Sequence, residues 1–280
     1  MPLLLIAATR LLAAPITLTD DRGVVVRLDR PAHRIVTLAP NLTELAFAAG
    51  GGSAVIGVSD FSDYPPEAKR LPIVASAAAV DLEEILRLKP DLVLAWKSGN
   101  RPADLERIEK LGIPVIATEP QRIADVPRIT RMIGRAAGTS AAAEASARHF
   151  EAEVARLRSR YAGAAEVTVL YQVWERPLVT IGGTHIIDDV IRFCGGRNVF
   201  GNLKPLAPEV SLESVIAADP DVILIGDGPQ NGIGRWARLP ALRAVARDRV
   251  YVIDATRVER ASPRLAAGVA DVCEKLSRAR

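Results

Sequence analysis

Residues 80–96 read VDLEEILRLKPDLVLAW, and residues 210–226 read VSLESVIAADPDVILIG. They align without a gap and are identical at Val80/Val210, Leu82/Leu212, Glu83/Glu213, Pro90/Pro220, Asp91/Asp221 and Leu94/Leu224. A second pair, TELAFAAGG (43–51) and DDVIRFCGG (188–196), precedes them, and both members end an apolar helical run in paired glycines. Because only two copies occur, the repeat predicts two related lobes with a cleft between them.

Short apolar runs alternate with amphipathic runs along most of the chain, which predicts an α/β fold with parallel sheets. A hairpin is expected at 16–28, where apolar and polar residues alternate around a D-R-G turn. Asn41 or Thr43 is expected to cap the first helix, and Asp81 the second. Strands are expected at 34–40, 55–60, 91–96, 113–118, 167–173, 222–226 and 250–254, and helices at 41–50, 81–88, 102–111, 185–194, 211–218, 239–246 and from Ser262.

The order of these elements predicts an N-terminal α/β lobe at 15–120, an interlobe helical segment at 121–162 and a C-terminal α/β lobe at 163–280. From Ile123 to Tyr161 there is no strand signal, so one long helix, or two, is expected between the lobes. Ligands of parallel sheets bind outside the carboxyl ends of the strands. The loops that follow the predicted strands are therefore expected to face the cleft.

Residues 1–14, MPLLLIAATRLLAA, are apolar and too short to span a bilayer. They resemble a degenerate secretory signal peptide, although Arg10 interrupts the apolar run. No cysteine lies near this end of the sequence, so no lipid anchor is expected. No later run of about 18 apolar residues occurs, which predicts a soluble mature chain.

The charge and the cysteines exclude two classes of site. The formal net charge is +3, and no run of basic residues is interleaved with aromatic ones, so nucleic-acid binding is not expected. The cysteines, Cys194 and Cys273, are far apart and have no histidine companions, which argues against zinc. Two buried thiols, or a disulfide formed in an oxidising compartment, are both compatible with this spacing.

The sequence is poor in catalytic patterns. It contains no G-x-x-x-x-G-K-[ST], no G-x-S-x-G and no H-E-x-x-H motif. His33, His149 and His185 lie near no cysteine or carboxylate at metal-ligand spacing, and none is expected to be functional. We therefore expect a protein that is not an enzyme and carries neither a cofactor nor a metal.

Aromatic residues are scarce, and three of them follow predicted strands directly. Tyr64, Trp96 and Trp174 each lie just beyond the carboxyl end of a strand. A single aromatic residue at such a place commonly caps a sheet core. Three at the rim of one predicted cleft favour a flat, largely apolar ligand that is held by face contacts.

Glu83 and Glu213 occupy the same position in the two copies of the repeat, in the first turn of a predicted helix. The helix dipole favours a carboxylate there in any protein, which is a sufficient explanation for either residue alone. Matching glutamates on two lobes would also fit a two-fold symmetric partner that carries basic sockets.

The segments TELAFAAG, SDYPP, KPDLVLAW, CGG-x-N-x-F and ERASPR occur in this order. In combination they resemble the cobalamin-binding periplasmic proteins of bacterial ABC importers, and the resemblance covers about residues 33–278. It implies two Rossmann-like lobes with parallel sheets, joined by a long, rigid interlobe helix, with little closure on binding and a corrinoid between the lobes. It also implies a Cys194–Cys273 disulfide and docking of Glu83 and Glu213 on a permease.

The resemblance further implies a set of ligand contacts. These are Pro40, Asn41, Tyr64, Trp96 and Arg260. One member of the family has tryptophans near the positions of Ser76 and Ala207, where this chain has small residues, and Trp174 is expected to replace part of the lost surface.

The expected function is that of a monomeric periplasmic receptor that captures cobalamin or a related corrinoid and delivers it to the permease dimer of an ABC transporter. A haem or ferric-siderophore receptor of the same fold is the alternative. Such a receptor needs several cations in its cleft for an anionic chelate, and Arg176, Arg257 and Arg260 are the candidates.

Overall fold

The computed structural model describes residues 15–76, 79–228 and 231–280, so the predicted signal peptide at 1–14 lies outside the described residues. The strands are β1 (Ile16–Thr19), β2 (Val25–Leu28), β3 (Ile35–Thr37), β4 (Val55–Ser59), β5 (Ile73–Ala75), β6 (Leu92–Trp96), β7 (Val115–Thr118), β8 (Val167–Gln172), β9 (Gly196–Asn198), β10 (Val222–Gly226) and β11 (Val250–Ile253). The α-helices are α1 (Pro40–Ala48), α2 (Leu82–Leu88), α3 (Pro102–Lys110), α4 (Asp125–Ala137), α5 (Ser140–Tyr161), α6 (Ile186–Phe193), α7 (Leu212–Ala218), α8 (Arg243–Ala246), α9 (Ala255–Val258) and α10 (Leu265–Arg278).

Two parallel sheets form the lobes, as the alternation of strands and helices predicted. The first sheet has the order β5-β4-β3-β6-β7 and the second the order β11-β10-β8-β9. All pairs within both sheets are parallel, whereas the hairpin β1-β2 is antiparallel. Strands β5 and β9 were not predicted, because each is a three-residue edge strand too short to carry a periodic pattern.

The repeated stretches adopt the same structure. The helices α2 and α7 are capped alike: Asp81 accepts a hydrogen bond from the backbone N–H of Glu84 at 3.0 Å, and Ser211 from that of Ser214 at 3.1 Å. Each helix then ends in a left-handed residue, at φ 49° in the first copy and 42° in the second. The prediction of related lobes is therefore confirmed in their local geometry.

The aspartate that follows the proline in each copy of the repeat has the same structural role. Asp91 accepts a hydrogen bond from the backbone N–H of Arg34, just before β3, at 2.9 Å. Asp221 accepts one from Thr168, at the start of β8, at 2.9 Å. Each carboxylate thus holds the beginning of the neighbouring strand in register with its own.

Two sequence predictions about helices are wrong in detail. The helix α1 begins earlier than predicted, with Pro40 at the first helical position, so its N-cap is Ala39, which has no side-chain acceptor. Thr43 instead bonds through Oγ1 to Thr37 Oγ1 at 2.7 Å. The helix predicted at 239–246 is reduced to α8, because Pro240 disfavours helical geometry at the residue before it.

The segment between the lobes forms two helices, which is one of the two predicted arrangements. Gly138 separates α4 from α5 and adopts φ 72°, a conformation that residues with a Cβ avoid. Helix α4 packs against α1 and β1, and α5 packs against α10 of the second lobe. The predicted boundaries at 120 and 162 fall in the connections on either side of this pair, and we keep them as a proposal.

Side chains alternate between the two faces of each sheet and fill three apolar layers. In β6, Leu92 and Leu94 face an inner layer, and Val93 and Ala95 an outer one. A second outer layer covers the other lobe and contains Trp236, whose Nε1 donates to Gln172 Oε1 at 2.8 Å. The inner layer is continuous from the first sheet through α4 and α5 to the second.

Cys194 and Cys273 form a disulfide within the second lobe, with their Cα atoms 4.7 Å apart. It joins the end of α6 to α10, and both residues are fully buried in the inner layer. The bond decides between the two states that the cysteine spacing left open. None of the helices in the described ranges combines the length and the apolar character of a membrane span.

Candidate functional site

A cavity of about 330 Å³ lies between the lobes. The first lobe contributes the N-terminus of α1, the end of β6 and the residues after β7; the second contributes residues after β8 and α9 and the N-terminus of α6. Its lining residues are Pro40, Asn41, Trp96, Glu119, Pro120, Val173, His185, Ile186, Ile187, Leu206, Ala207, Glu259, Arg260 and Ala261. The strands therefore end at the cleft, as the parallel-sheet rule predicts.

Four of the six predicted ligand contacts line this cavity. They are Pro40, Asn41, Trp96 and Arg260. Tyr64 and Trp174 are not among its lining residues.

Trp96 is the last residue of β6, and 37% of its surface is exposed. Its Nε1 donates to Glu119 Oε1 at 3.1 Å, and its backbone N–H donates to Asn100 Oδ1 at 2.7 Å. Gly99 lies so close to the indole that a Cβ at position 99 would overlap the ring. The ring is thus held at its Nε1 edge by Glu119 and packed against Gly99, while Asn100 holds the backbone of Trp96.

Trp174 is 50% exposed and follows Val173, which does line the cavity. The backbone bends at Val173, and Trp174 then forms an antiparallel bridge with Val179, outside β8. Val173 lines the cavity and Trp174 does not, so the indole lies outside the cavity.

Tyr64 belongs to a different part of the interlobe surface. The guanidinium carbon of Arg264 lies 4.4 Å from the centre of its ring, which is a cation–π contact. Tyr64 and Arg264 line a second cavity together with Phe47 and His149. The loop that carries Tyr64 therefore reaches the second lobe, but beside the main cavity.

Arg260 enters the main cavity from the second lobe and is held by carboxylates of the first. Its Nη1 donates to Glu44 Oε1 at 3.2 Å and to Asp63 Oδ1 at 2.5 Å. Burial alone would raise the pKa of Asp63, but the hydrogen bond and the charge of Arg260 outweigh it and lower that pKa. The positive charge of Arg260 is thus already compensated within the protein.

Glu44 is the centre of this interlobe network. It is almost fully buried in α1, and its Oε2 accepts hydrogen bonds from Ser262 Oγ at 2.6 Å and from Arg264 Nε at 2.9 Å. The hydrogen bond to Glu44 is the main reason why the pKa of Arg264 is raised. Sequence reasoning missed Glu44, although a lone carboxylate in the apolar helical run TELAFAAG was a usable signal.

The second lobe adds an acidic group that was also not predicted. Glu259 lines the cavity and accepts a hydrogen bond from Tyr171 Oη at 2.9 Å. Burial raises the pKa of Glu259, and the Tyr171 hydrogen bond opposes that rise. Together with Glu119 on the opposite lobe, it gives the cavity carboxylates on both walls.

His185 occupies the N-cap of α6, at the edge of the cavity. Its Nδ1 accepts a hydrogen bond from the backbone N–H of Ile187 at 3.1 Å. Burial lowers the pKa of His185 to about 4, so the ring is neutral at physiological pH. The prediction that no histidine is functional rested on sequence spacing. Spacing does not show which residues the fold brings to the cleft.

The remaining predicted residues lie outside the cavity. Glu83 and Glu213 are exposed in the first turns of α2 and α7. A helix that precedes a parallel strand begins at the carboxyl edge of its sheet, so both glutamates lie on the cleft side of their lobes. Arg176 and Arg257 do not line the cavity either and pair with Glu175 and Asp254.

Comparison with known proteins gives consistent matches. A model of the family described as periplasmic binding protein matches residues 35–256. The vitamin B12-binding protein of Vibrio parahaemolyticus is 34% identical over 250 residues, which cover 88% of this chain and 90% of that protein.

Among solved structures, the periplasmic vitamin B12-binding protein of Vibrio cholerae matches with a TM-score of 0.83 and 32% identity, over 89% of this chain and 98% of that one. The periplasmic haem-binding protein of Roseiflexus sp. RS-1, in its apo form, matches with a TM-score of 0.78 and 28% identity, over 89% of this chain and 99% of that one. These likenesses extend over both lobes and confirm the predicted two-lobe α/β fold.

Proposed function

Because the chain belongs to the periplasmic binding protein family, we propose that it captures cobalamin or a related corrinoid in the cleft between its lobes. The observation that carries this proposal is the cavity in which Trp96 of the first lobe lies opposite the Arg260 wall of the second. The name shared by the Vibrio relatives supports the same ligand class. The ligand is cargo that is bound and released unchanged, so neither a catalytic group nor a resident cofactor is required.

The charges in the cavity favour a corrinoid over haem or a ferric siderophore. The periphery of a corrinoid carries mostly neutral carboxamides, whereas haem carries propionates. Among the lining residues Arg260 is the one arginine, and Glu44 and Asp63 already compensate its charge. Glu119 and Glu259 would face an anionic ligand without a free cation beside them, which is unfavourable in a partly buried site.

The proposed contacts retain the six residues expected from the sequence. Pro40, Asn41, Trp96 and Arg260 act in the cavity itself. Tyr64 and Trp174 act outside it, where they would meet peripheral parts of a ligand larger than the cavity.

We also propose that the receptor works as a periplasmic monomer and delivers its ligand to an ABC permease dimer. Glu83 and Glu213 are exposed and equivalent in the two lobes, and they lie outside the cavity. Such a pair fits basic residues on a two-fold symmetric partner. The buried disulfide is consistent with an oxidising compartment.

The test is to mix the purified chain separately with cyanocobalamin, hemin and ferrichrome, and to pass each mixture over a gel-filtration column. We expect the visible spectrum of cyanocobalamin to comigrate with the monomer at one ligand per chain. Comigration of hemin or ferrichrome, with none of cyanocobalamin, would replace the proposed function by its alternative.

A further inference from the structure

His185 has one ring nitrogen engaged and one free. Its Nδ1 accepts the backbone N–H of Ile187 and so caps α6. Its Nε2 has no hydrogen-bond partner in residues 15–76, 79–228 and 231–280. This nitrogen is unpaired but not buried. Because the residue lines the cavity, this free nitrogen is accessible from the cleft.

The cap also fixes where the ring proton lies. A neutral imidazole carries one N–H and one lone pair, and a nitrogen that accepts a hydrogen bond must be the one with the lone pair. Burial keeps the ring neutral, so the proton is on Nε2. His185 therefore presents an N–H donor to the cleft, not a lone pair.

We propose that His185 is a ligand-binding residue that donates a hydrogen bond from Nε2 to a carbonyl oxygen of the bound ligand and does not coordinate its metal. The inference rests on the proposed function and adds a residue to it. A carboxamide oxygen of the corrinoid periphery is an acceptor of the required kind.

Metal coordination by Nε2 would need the opposite tautomer. The proton would then move to Nδ1, which would lose its ability to accept from Ile187 and would leave the first turn of α6 without its cap. Neither carboxylate of the cavity accepts from Nε2 in the described residues: Glu119 Oε1 accepts from Trp96 and Ser98, and Glu259 Oε1 accepts from Tyr171. The donor at Nε2 is therefore open to a ligand.

Two variants separate the cap from the donor. His185→Ser keeps an oxygen that can cap α6 but has no group that reaches the cleft, whereas His185→Ala loses both functions. His33→Ser, at an exposed position outside the cavity, is the matched control. The measurement is the Kd for cyanocobalamin from tryptophan quenching, with the Tm recorded for each variant.

We expect His185→Ser to weaken cyanocobalamin binding about tenfold, the effect of one lost hydrogen bond, with the Tm little changed. His185→Ala should weaken binding equally and also lower the Tm, and His33→Ser should change neither. If the wild type binds and His185→Ser binds equally well, the role of His185 is overturned while the proposed function stands. If the wild type does not bind cyanocobalamin, the proposed function and this inference both fail.

The tautomer has an independent readout. A long-range ¹H–¹⁵N spectrum of the ligand-free protein should show a protonated Nε2 and an unprotonated Nδ1 at position 185. A protonated Nδ1, or an absorption band of a histidine-ligated metal in the complex that His185→Ser removes, would overturn the inference.

Discussion

Glu44 in the first lobe receives two hydrogen bonds from the guanidinium of Arg264 in the second, at 2.9 Å from Nε and 2.8 Å from Nη2. The carboxylate is almost completely removed from solvent. Exposed ion pairs contribute little to stability, but the loss of one partner of a buried pair leaves an uncompensated charge. This contact therefore links the lobes more firmly than any pair at the molecular surface.

Replacement of Glu44 by Gln should lower the free energy of unfolding by about 3 kcal/mol, because the two arginines lose their counter-charge in a buried place. Urea unfolding followed by circular dichroism measures the change. The control is Glu151→Gln on α5, which removes an exposed partner of Arg131 and should change stability by less than about 1 kcal/mol. Equal losses in the two variants would contradict a special role for the interlobe contact.

Removal of the Trp96 ring should weaken cobalamin binding by about 1–3 kcal/mol, the scale of one buried aromatic anchor. Trp174→Ala should have a smaller effect, because its neighbour Val173, and not Trp174, lines the cavity. Titration of both variants with cyanocobalamin compares them directly. A larger loss for Trp174→Ala would mean that the ligand extends beyond the cavity on that side.

The Cys194–Cys273 bond closes a long loop of the second lobe, so its removal should lower the free energy of unfolding by about 2–4 kcal/mol. Non-reducing mass analysis of protein from the periplasm shows whether the bond forms in the cell, and the Cys194→Ser/Cys273→Ser double variant gives its contribution. Two alkylatable thiols in periplasmic material would argue against the bond and against export.

Reversal of charge at Glu83 and Glu213 should leave cobalamin binding intact and abolish delivery, because like charges would then face the basic sockets of the permease. The measurement is the ligand affinity of Glu83→Arg/Glu213→Arg beside corrinoid uptake by cells that carry it. Glu84→Arg, at a neighbouring position of α2, is the control for added charge. Normal uptake by the double variant would show that the two glutamates do not dock on the permease and interact only with the dipoles of their helices.

The depressed pKa of His185 gives stability a pH dependence of known sign. The folded protein holds the ring neutral down to about pH 4, whereas the unfolded chain binds a proton below about pH 6.5. The contribution is therefore complete above pH 6.5 and falls as the pH drops towards 4, by on the order of 3 kcal/mol. In His185→Ser, the free energy of unfolding should fall less between about pH 6.5 and about pH 4, as measured by urea unfolding at several pH values. The other charged residues of the cavity, Glu119, Glu259 and Arg260, are present in both proteins, so their titration does not account for the difference.

Local sequence patterns were sufficient to predict most helices and strands and the two related lobes. The caps at Asp81 and the break at Pro90 depend on neighbours in the sequence, and the repeat at 210–226 shows the same pattern, so both copies were predictable. The contact between Glu44 and Arg264 was not, because its partners are far apart in the chain and meet only when the two lobes are assembled.

The site was predictable to the level of strand ends and no further. The rule that ligands bind beyond the carboxyl ends of parallel strands located Trp96 and Arg260 correctly. It assigns an edge of the sheet but not the direction of a side chain, and for that reason Trp174 was expected in the cavity where Val173 lies. His185 was missed because its position in the cleft follows from the packing of α6, which sequence spacing does not report.

The apolar layer runs from one sheet through α4 and α5 into the other, so the two lobes share one continuous core. Heating should therefore produce a single endotherm in a calorimeter, with the lobes melting as one cooperative unit. A fragment that ends near residue 162 would expose the half of this layer that the second lobe covers.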